Sequence, residues 1–174
     1  MFFLRSGPGL RTPFASFNTR GFKLDAPAVR RYTDGMALNI REFSMSDYDA
    51  AYALWKRTEG IGLSQADKAP NVARFLARNP GLSFVAEEKG RIVGAVMCGN
   101  DGRRGFLHHL AVEKARRKTG IGKSLVERCL SALAAAGLRK CHIFVIADNI
   151  EGQRFWRKIG WEERTTLKVM SRDV

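Results

Sequence analysis

The chain has 174 residues, of which 45% are hydrophobic, and 30 Lys and Arg against 17 Asp and Glu give a formal net charge of +13. That length suits one packed domain rather than two, and no apolar run approaches the roughly 20 residues of a membrane-spanning helix. The positive field favours polyanionic partners (nucleic acid, a ribosomal surface, a phosphate-rich small molecule) without choosing among them.

Residues 1–35 carry three of the five prolines (Pro8, Pro13, Pro27), no acidic residue before Asp25 and no sustained hydrophobic period. Three readings stand: a basic extension ahead of a true start at Met36, a disordered basic arm, or an organelle-targeting presequence. Organised pattern begins at residue 36, so residues 36–174 are expected to form the folded domain. Leu38 to Phe43 reads as a strand. Ser44, Met45, Ser46 and Asp47 offer a cap for a helix whose apolar stripe is Tyr48, Ala51, Tyr52 and Trp55. Gly60 and Gly62 end it. A second helix is expected from Asn71 to Arg78, with Val72, Phe75 and Leu76 on one face and Asn79-Pro80-Gly81 as its stop.

Three strand-like runs follow, Ser83–Glu87, Ile92–Cys98 and Phe106–Val112, the first two joined by a hairpin signature at Glu88-Lys89-Gly90-Arg91. A long helix is expected from Gly120 to Ala136, ended by Gly137. Then come a strand at Lys140–Ala147, a short helix at Ile150–Ile159, a stop at Gly160 and a final strand at Trp161–Met170. The fold class is mixed α/β, with a mostly antiparallel central sheet, about four helices and a strand–helix–strand crossover near residues 106–146. Cys98, Cys129 and Cys141 form no CxxC pair, and His108, His109 and His142 show no metal-ligand spacing to them. They read as small buried hydrophobes of a reducing, cytoplasmic compartment.

The chemistry concentrates between Leu110 and Leu125. An apolar strand ends at Val112, a basic loop follows, and Gly120 and Gly122 lead straight into an amphipathic helix. The first turn of a helix has backbone N–H groups without intrahelical partners and a partial positive charge. Two glycines let a ligand approach those groups, and Arg116, Arg117, Lys118 and Lys123 add full charges. A plain tight turn with a solvated basic face is the alternative. The density of cations around the glycines favours an anion cradle suited to a diphosphate. The segment is neither a Walker loop nor a dinucleotide fingerprint.

Arg117-x-x-Gly120-x-Gly122 after Leu110-Ala111-Val112 resembles motif A of the GNAT acetyltransferase superfamily. Asn149 followed by Phe155-Trp156 and Gly160-Trp161 resembles its second block, and Gly90 to Met97 its preceding hairpin. The likeness spans about residues 37–172 and looks nearest to the YpeA-like bacterial branch. It implies acetyl-CoA as co-substrate, no metal, and a V-shaped splay between the strand of Leu110–Val112 and that of Lys140–Ala147. Backbone around Leu110, Ala111 and Val112 would pair with the pantetheine arm, and the Val112 N–H would polarise the thioester. Arg117, Lys118, Thr119, Gly120, Ile121, Gly122 and Lys123 would hold the pyrophosphate. Asn149 would bond the pantetheine, with Phe155 and Trp156 packed along it.

Direct attack by an amine calls for a proton acceptor. His108, on the motif A strand, is the candidate; His109 is expected on the opposite side of the pleat, and Glu87 and Glu88 are further possibilities. Trp156 stands where many relatives carry a tyrosine acid, and indole only donates, so no general acid is assigned. The expected acceptor is an amine of a small molecule, or a protein terminus or lysine. No membrane partner is expected, nucleic acid is disfavoured, and a homodimer is left open. Two rival readings are an acyl-CoA-binding module without turnover and a charge-driven nucleic-acid binder.

Overall fold

The computed structural model describes residues 38–173; the expectations for residues 1–35 lie outside them. The order is β1 (Asn39–Glu42), α1 (Tyr48–Lys56), α2 (Ala69–Arg78), β2 (Phe84–Glu88), β3 (Arg91–Asn100), β4 (Gly105–Val112), α3 (Ile121–Ala135), β5 (Cys141–Ile143) and α4 (Ile150–Lys158), with single 3-10 turns at Met45–Asp47, Gln65–Asp67 and Lys114–Arg116. The strands form one sheet in the order β1-β2-β3-β4-β5. The first three pairings are antiparallel and β4–β5 is parallel.

Alternation along the strands feeds a core on each face of the sheet. On one, Phe84, Val96, Cys98 and Leu107 meet Ile121, Leu125, Cys129 and Leu133 of α3 and Trp156 of α4. On the other, Val85, Ala95, Met97 and Ala111 meet Leu54 and Trp55 of α1 and Val72 of α2. α3 lies close against the sheet because two strand glycines admit it. A Cβ on Gly94 would sit 3.0 Å from Leu125, and one on Gly105 only 2.3 Å from Leu133. These contacts fix where the first turn of α3 emerges.

The cysteines pack as the sequence predicts, Cys98 and Cys129 fully buried and Cys141 half-buried. A hydrogen bond to Cys98, together with burial, pushes the Cys129 thiol up, and burial pushes Cys141 up to about 12.

Two expected strands differ. The run Lys140–Ala147 pairs only over Cys141–Ile143, because β4 veers away beyond Leu107. Trp161–Met170 forms no strand. Trp161 alone of this segment is drawn into the core, against Trp156, while Leu167, Val169 and Met170 are exposed. An alternating pattern becomes a strand only where its apolar side finds a surface to cover and its backbone an edge to pair with.

Candidate functional site

β4 and β5 are joined at one end only. Gly105, Phe106 and Leu107 pair with Cys141, His142 and Ile143, and the five β4 residues from His108 to Val112 have no β5 partner. The strands therefore open into a cleft, as the motif resemblance implies. Glu113 donates its N–H to Val93 at 2.8 Å. By the alternation of an antiparallel ladder, Val112, opposite Gly94, turns its own N–H and C=O toward the opening. Arg117 Nε donates to that Val112 carbonyl at 3.3 Å.

At the mouth of the cleft lies the glycine turn. Lys118 has φ +65° and Gly120 φ +94°, so the chain reverses through two left-handed residues before α3 starts. Only glycine adopts such a conformation at little cost. Gly120 caps α3 without a side-chain hydrogen bond, and the first turn carries no acidic residue. The N–H groups of Ile121, Gly122 and Lys123 are thus uncapped by any side chain, at the positive end of a 15-residue helix. A Cβ on Gly122 would stand 3.3 Å from the Phe155 ring and 3.6 Å from Val112 Cγ2, so the glycine keeps open a narrow space shared by β4, α3 and α4. That geometry fits a phosphate-bearing ligand.

The cations at this turn are not equivalent. Arg117 is exposed, and its guanidinium donates to the Val112 carbonyl. Lys123 makes a loose pair with Glu127 at 3.5 Å. Arg116, expected to contribute charge to the cradle, is instead ion-paired with Glu88 of β2; sequence adjacency to Arg117 does not place it in the same field. Thr119 donates to the Arg116 carbonyl at 2.7 Å and so braces the turn. Ile121 is buried in the core, leaving its backbone alone to face a ligand.

The second motif also divides its labour. Asn149 caps α4, its Oδ1 accepting the Gly152 N–H at 2.8 Å, and its Nδ2 rests beside Gly60. Trp156 is buried, edge-on to Phe155 and Trp161 with centroids 5.1 and 4.9 Å away. Phe155 is the aromatic that meets the glycine turn.

The histidines bring the largest correction. Ala95 faces Ala111 and Met97 faces His108, so two residues of β4 stand against Val96 alone. This bulge lets both imidazoles emerge on the α1–α2 face. His108 lies edge-on to Phe75 with centroids 5.8 Å apart. His109, with φ +52°, does not face the opposite side: its Nε2 is 2.6 Å from Asp67 Oδ1 and its ring lies tilted against Trp55, with centroids 5.3 Å apart. A strict period of 2 cannot reveal a bulge, and Asp67 lies 42 residues away in sequence. Burial lowers the pKa of His108. Glu87 pairs with Arg41 and Glu88 with Arg116.

Two hollows of about 360 and 230 Å³ lie away from the cleft. The first is lined by Arg41, Asp47, Arg57 and Arg91, the second by Leu133, Leu138 and Cys141. Among the described residues no group of His, Cys, Asp or Glu is arranged to hold a metal, and no helix is long and apolar enough to cross a membrane.

Residues 45–161 match the model of the acetyltransferase (GNAT) family. An acetyltransferase of Pectobacterium atrosepticum is 35% identical over 125 residues, covering 72% of this chain and 88% of that protein. Among solved structures, the aminoglycoside 6'-N-acetyltransferase AAC(6')-IG of Acinetobacter haemolyticus superposes with a TM-score of 0.65 at 17% identity, covering 78% of this chain and 99% of that one. The PaiA N-acetyltransferase of Thermoplasma acidophilum, solved with coenzyme A, gives 0.63 at 18%, covering 72% and 89%. A five-stranded sheet splayed between its last two strands, a glycine turn opening onto a bare helix terminus and a family match over two thirds of the length agree, and the chain belongs to the GNAT family of acetyltransferases.

Proposed function

We propose that this protein transfers an acetyl group from acetyl-CoA to a primary amine of a small molecule or of a protein, in the cytoplasm. The observation that carries the reading is the cleft between β4 and β5, which ends at a helix terminus without a side-chain cap, in a turn whose sequence holds Arg117, Lys118 and Lys123. A diphosphate would be held by the N–H groups of Gly120 to Lys123 with those cations and Thr119. The pantetheine arm would run along Leu110, Ala111 and Val112 beside Phe155, with Asn149 Nδ2 as a further donor. The bound thioester supplies an activated acetyl carbon. The chain's part is to hold it, to direct the Val112 N–H at the developing oxyanion, and to accept the amine's proton. The acceptor of that proton belongs to the imidazole pair at the bulge, His108 and His109.

The indole N–H of Trp156 is a donor without the acidity to protonate a leaving thiolate, so release relies on the proton the imidazole has taken or on water. Support for an amine acceptor comes from relatives whose names specify N-acetyl transfer, to aminoglycosides in one case. The test is to incubate the protein with labelled acetyl-CoA and pools of amines and peptides, then identify the labelled product. Transfer to an amine nitrogen is expected. Tight acetyl-CoA binding with no labelled product from any pool would favour a binding module. Nucleic-acid binding that weakens steeply with salt and ignores coenzyme A would favour the charge-driven reading.

A further inference from the structure

His109 occupies a position that backbone energetics disfavour. A non-glycine residue at φ +52° is uncommon outside turns and persists where its surroundings over-determine it. Here the surroundings are specific. Asp67, buried in the 3-10 turn ahead of α2, presents Oδ1 to His109 Nε2 at 2.6 Å. Its other oxygen, Oδ2, accepts the Ser64 N–H at 2.7 Å and the Ser64 hydroxyl at 3.3 Å. The Tyr48 hydroxyl donates to the Asp67 carbonyl at 3.0 Å, and the Trp55 ring packs at a tilt against the imidazole. Ser64 thus holds one carboxylate oxygen and Tyr48 the backbone of Asp67, and the other oxygen is aimed at a ring in the β4 bulge, two residues past the last contact between β4 and β5.

A carboxylate only accepts, so its partner nitrogen must carry the proton. Nε2–H faces Asp67, and Nδ1 keeps its lone pair. The titratable and charged groups around this ring are Asp67, Tyr48 and His108. Asp67 also compensates the positive charge that His109 acquires when Nδ1 takes a proton, as the acid of a catalytic triad does for its imidazole. His108 lacks that support: its neighbour is the Phe75 edge, and burial disfavours its imidazolium.

Resting on the acetyl-transfer reading above, we infer that His109 is the catalytic base and that Asp67 is the residue that positions it. The substrate ammonium first gives one proton to water. The neutral amine nitrogen then attacks the thioester carbon, and the carbon–sulfur bond breaks. The remaining excess N–H proton passes to His109 Nδ1 and from there to the thiolate. The products are the N-acetyl amine and the free thiol, and the imidazole is neutral again.

The test uses backbone-compatible variants of the full chain. Glycine accepts φ +52° more readily than histidine, so His109→Gly removes the ring while leaving the bulge. Asp67→Asn keeps an oxygen for Ser64 but turns an NH2 toward Nε2, which inverts the tautomer and blocks Nδ1. Three measurements decide: acetyl-CoA affinity by calorimetry, thiol release with a panel of alkylamine, polyamine and N-terminal-alanine peptide, and 15N ring shifts of the histidines. Expected are acetyl-CoA affinity within a few-fold of wild type for both variants, thiol release slower by roughly 10²-fold or more, partial rescue of His109→Gly by added imidazole, and an Nε2–H tautomer in wild type that switches to Nδ1–H in Asp67→Asn. A loss in His108→Gln as deep as in His109→Gly, or an Nδ1–H tautomer in the wild type, overturns the assignment. An Nδ1–H tautomer in the wild type would overturn it even if no amine on the panel is acetylated. Failure of the wild type to bind acetyl-CoA would instead overturn the acetyl-transfer reading.

Discussion

Replacing Gly122 with glutamate should move fold stability and ligand affinity in opposite directions. Gly122 is the second residue of α3, with Gly120 at the cap. Glycine inside a helix costs about 1 kcal/mol relative to a good helix former, and a carboxylate in the first turn gains roughly 0.3–1 kcal/mol from the helix dipole. Against these stands a tight new contact, since the added Cβ would lie 3.3 Å from the Phe155 ring. The folded state should be unchanged or slightly stabilised. Ligand binding should collapse, because the carboxylate sits where the diphosphate is to lie. One pair of like charges about 5 Å apart at an effective dielectric near 20 repels by roughly 3 kcal/mol, which is about two orders of magnitude in Kd. Calorimetric titration with acetyl-CoA, next to thermal melts of both proteins, measures the two effects, and Gly122→Ala separates bulk from charge. A folded Gly122→Glu protein that binds acetyl-CoA within threefold of wild type would falsify the cradle.

Further outcomes follow from the packing and the charges. Leu125→Ala empties a fully buried position facing Gly94 and should destabilise by about 2–5 kcal/mol in denaturant melts; a change below 1 kcal/mol would mean that α3 does not pack on the sheet as described. Asp47 takes a paired hydrogen bond from Arg41 at 2.7 Å through each nitrogen, which holds its carboxyl below the usual range. Its stabilisation is complete above the ordinary value near 3.9 and fades as pH falls through the lower folded value, so the acid limb of the melting curve should be shallower in Asp47→Asn. Burial lowers the pKa of His108, so its contribution is complete above about 6.5 and is lost as pH falls below that. The melting temperature of His108→Gln should therefore decline less than that of the wild type between pH 7.5 and 5, and parallel curves would refute the burial argument.

Local chemistry made much of this protein readable before any coordinates. Gly120 needs its left-handed backbone whatever surrounds it, and a strand that ends in a glycine turn ahead of a helix exposes amides by construction. The stripe of Ala51 and Trp55 and the unbroken apolar run from Val93 to Cys98 are patterns the chain carries within itself. Distance in sequence is where the reading stopped. Whether Arg116 joins the cradle depends on Glu88, 28 positions earlier. Whether Trp161–Met170 becomes a strand depends on an edge to pair with, and β5 ends at Ile143. The side to which His109 points depends on the bulge opposite Val96 and on a carboxylate from the turn before α2. Local backbone preference is written residue by residue. The partner of a charge and the register of a strand are settled only when separate segments meet, because their energies come from contacts that no short stretch of chain contains.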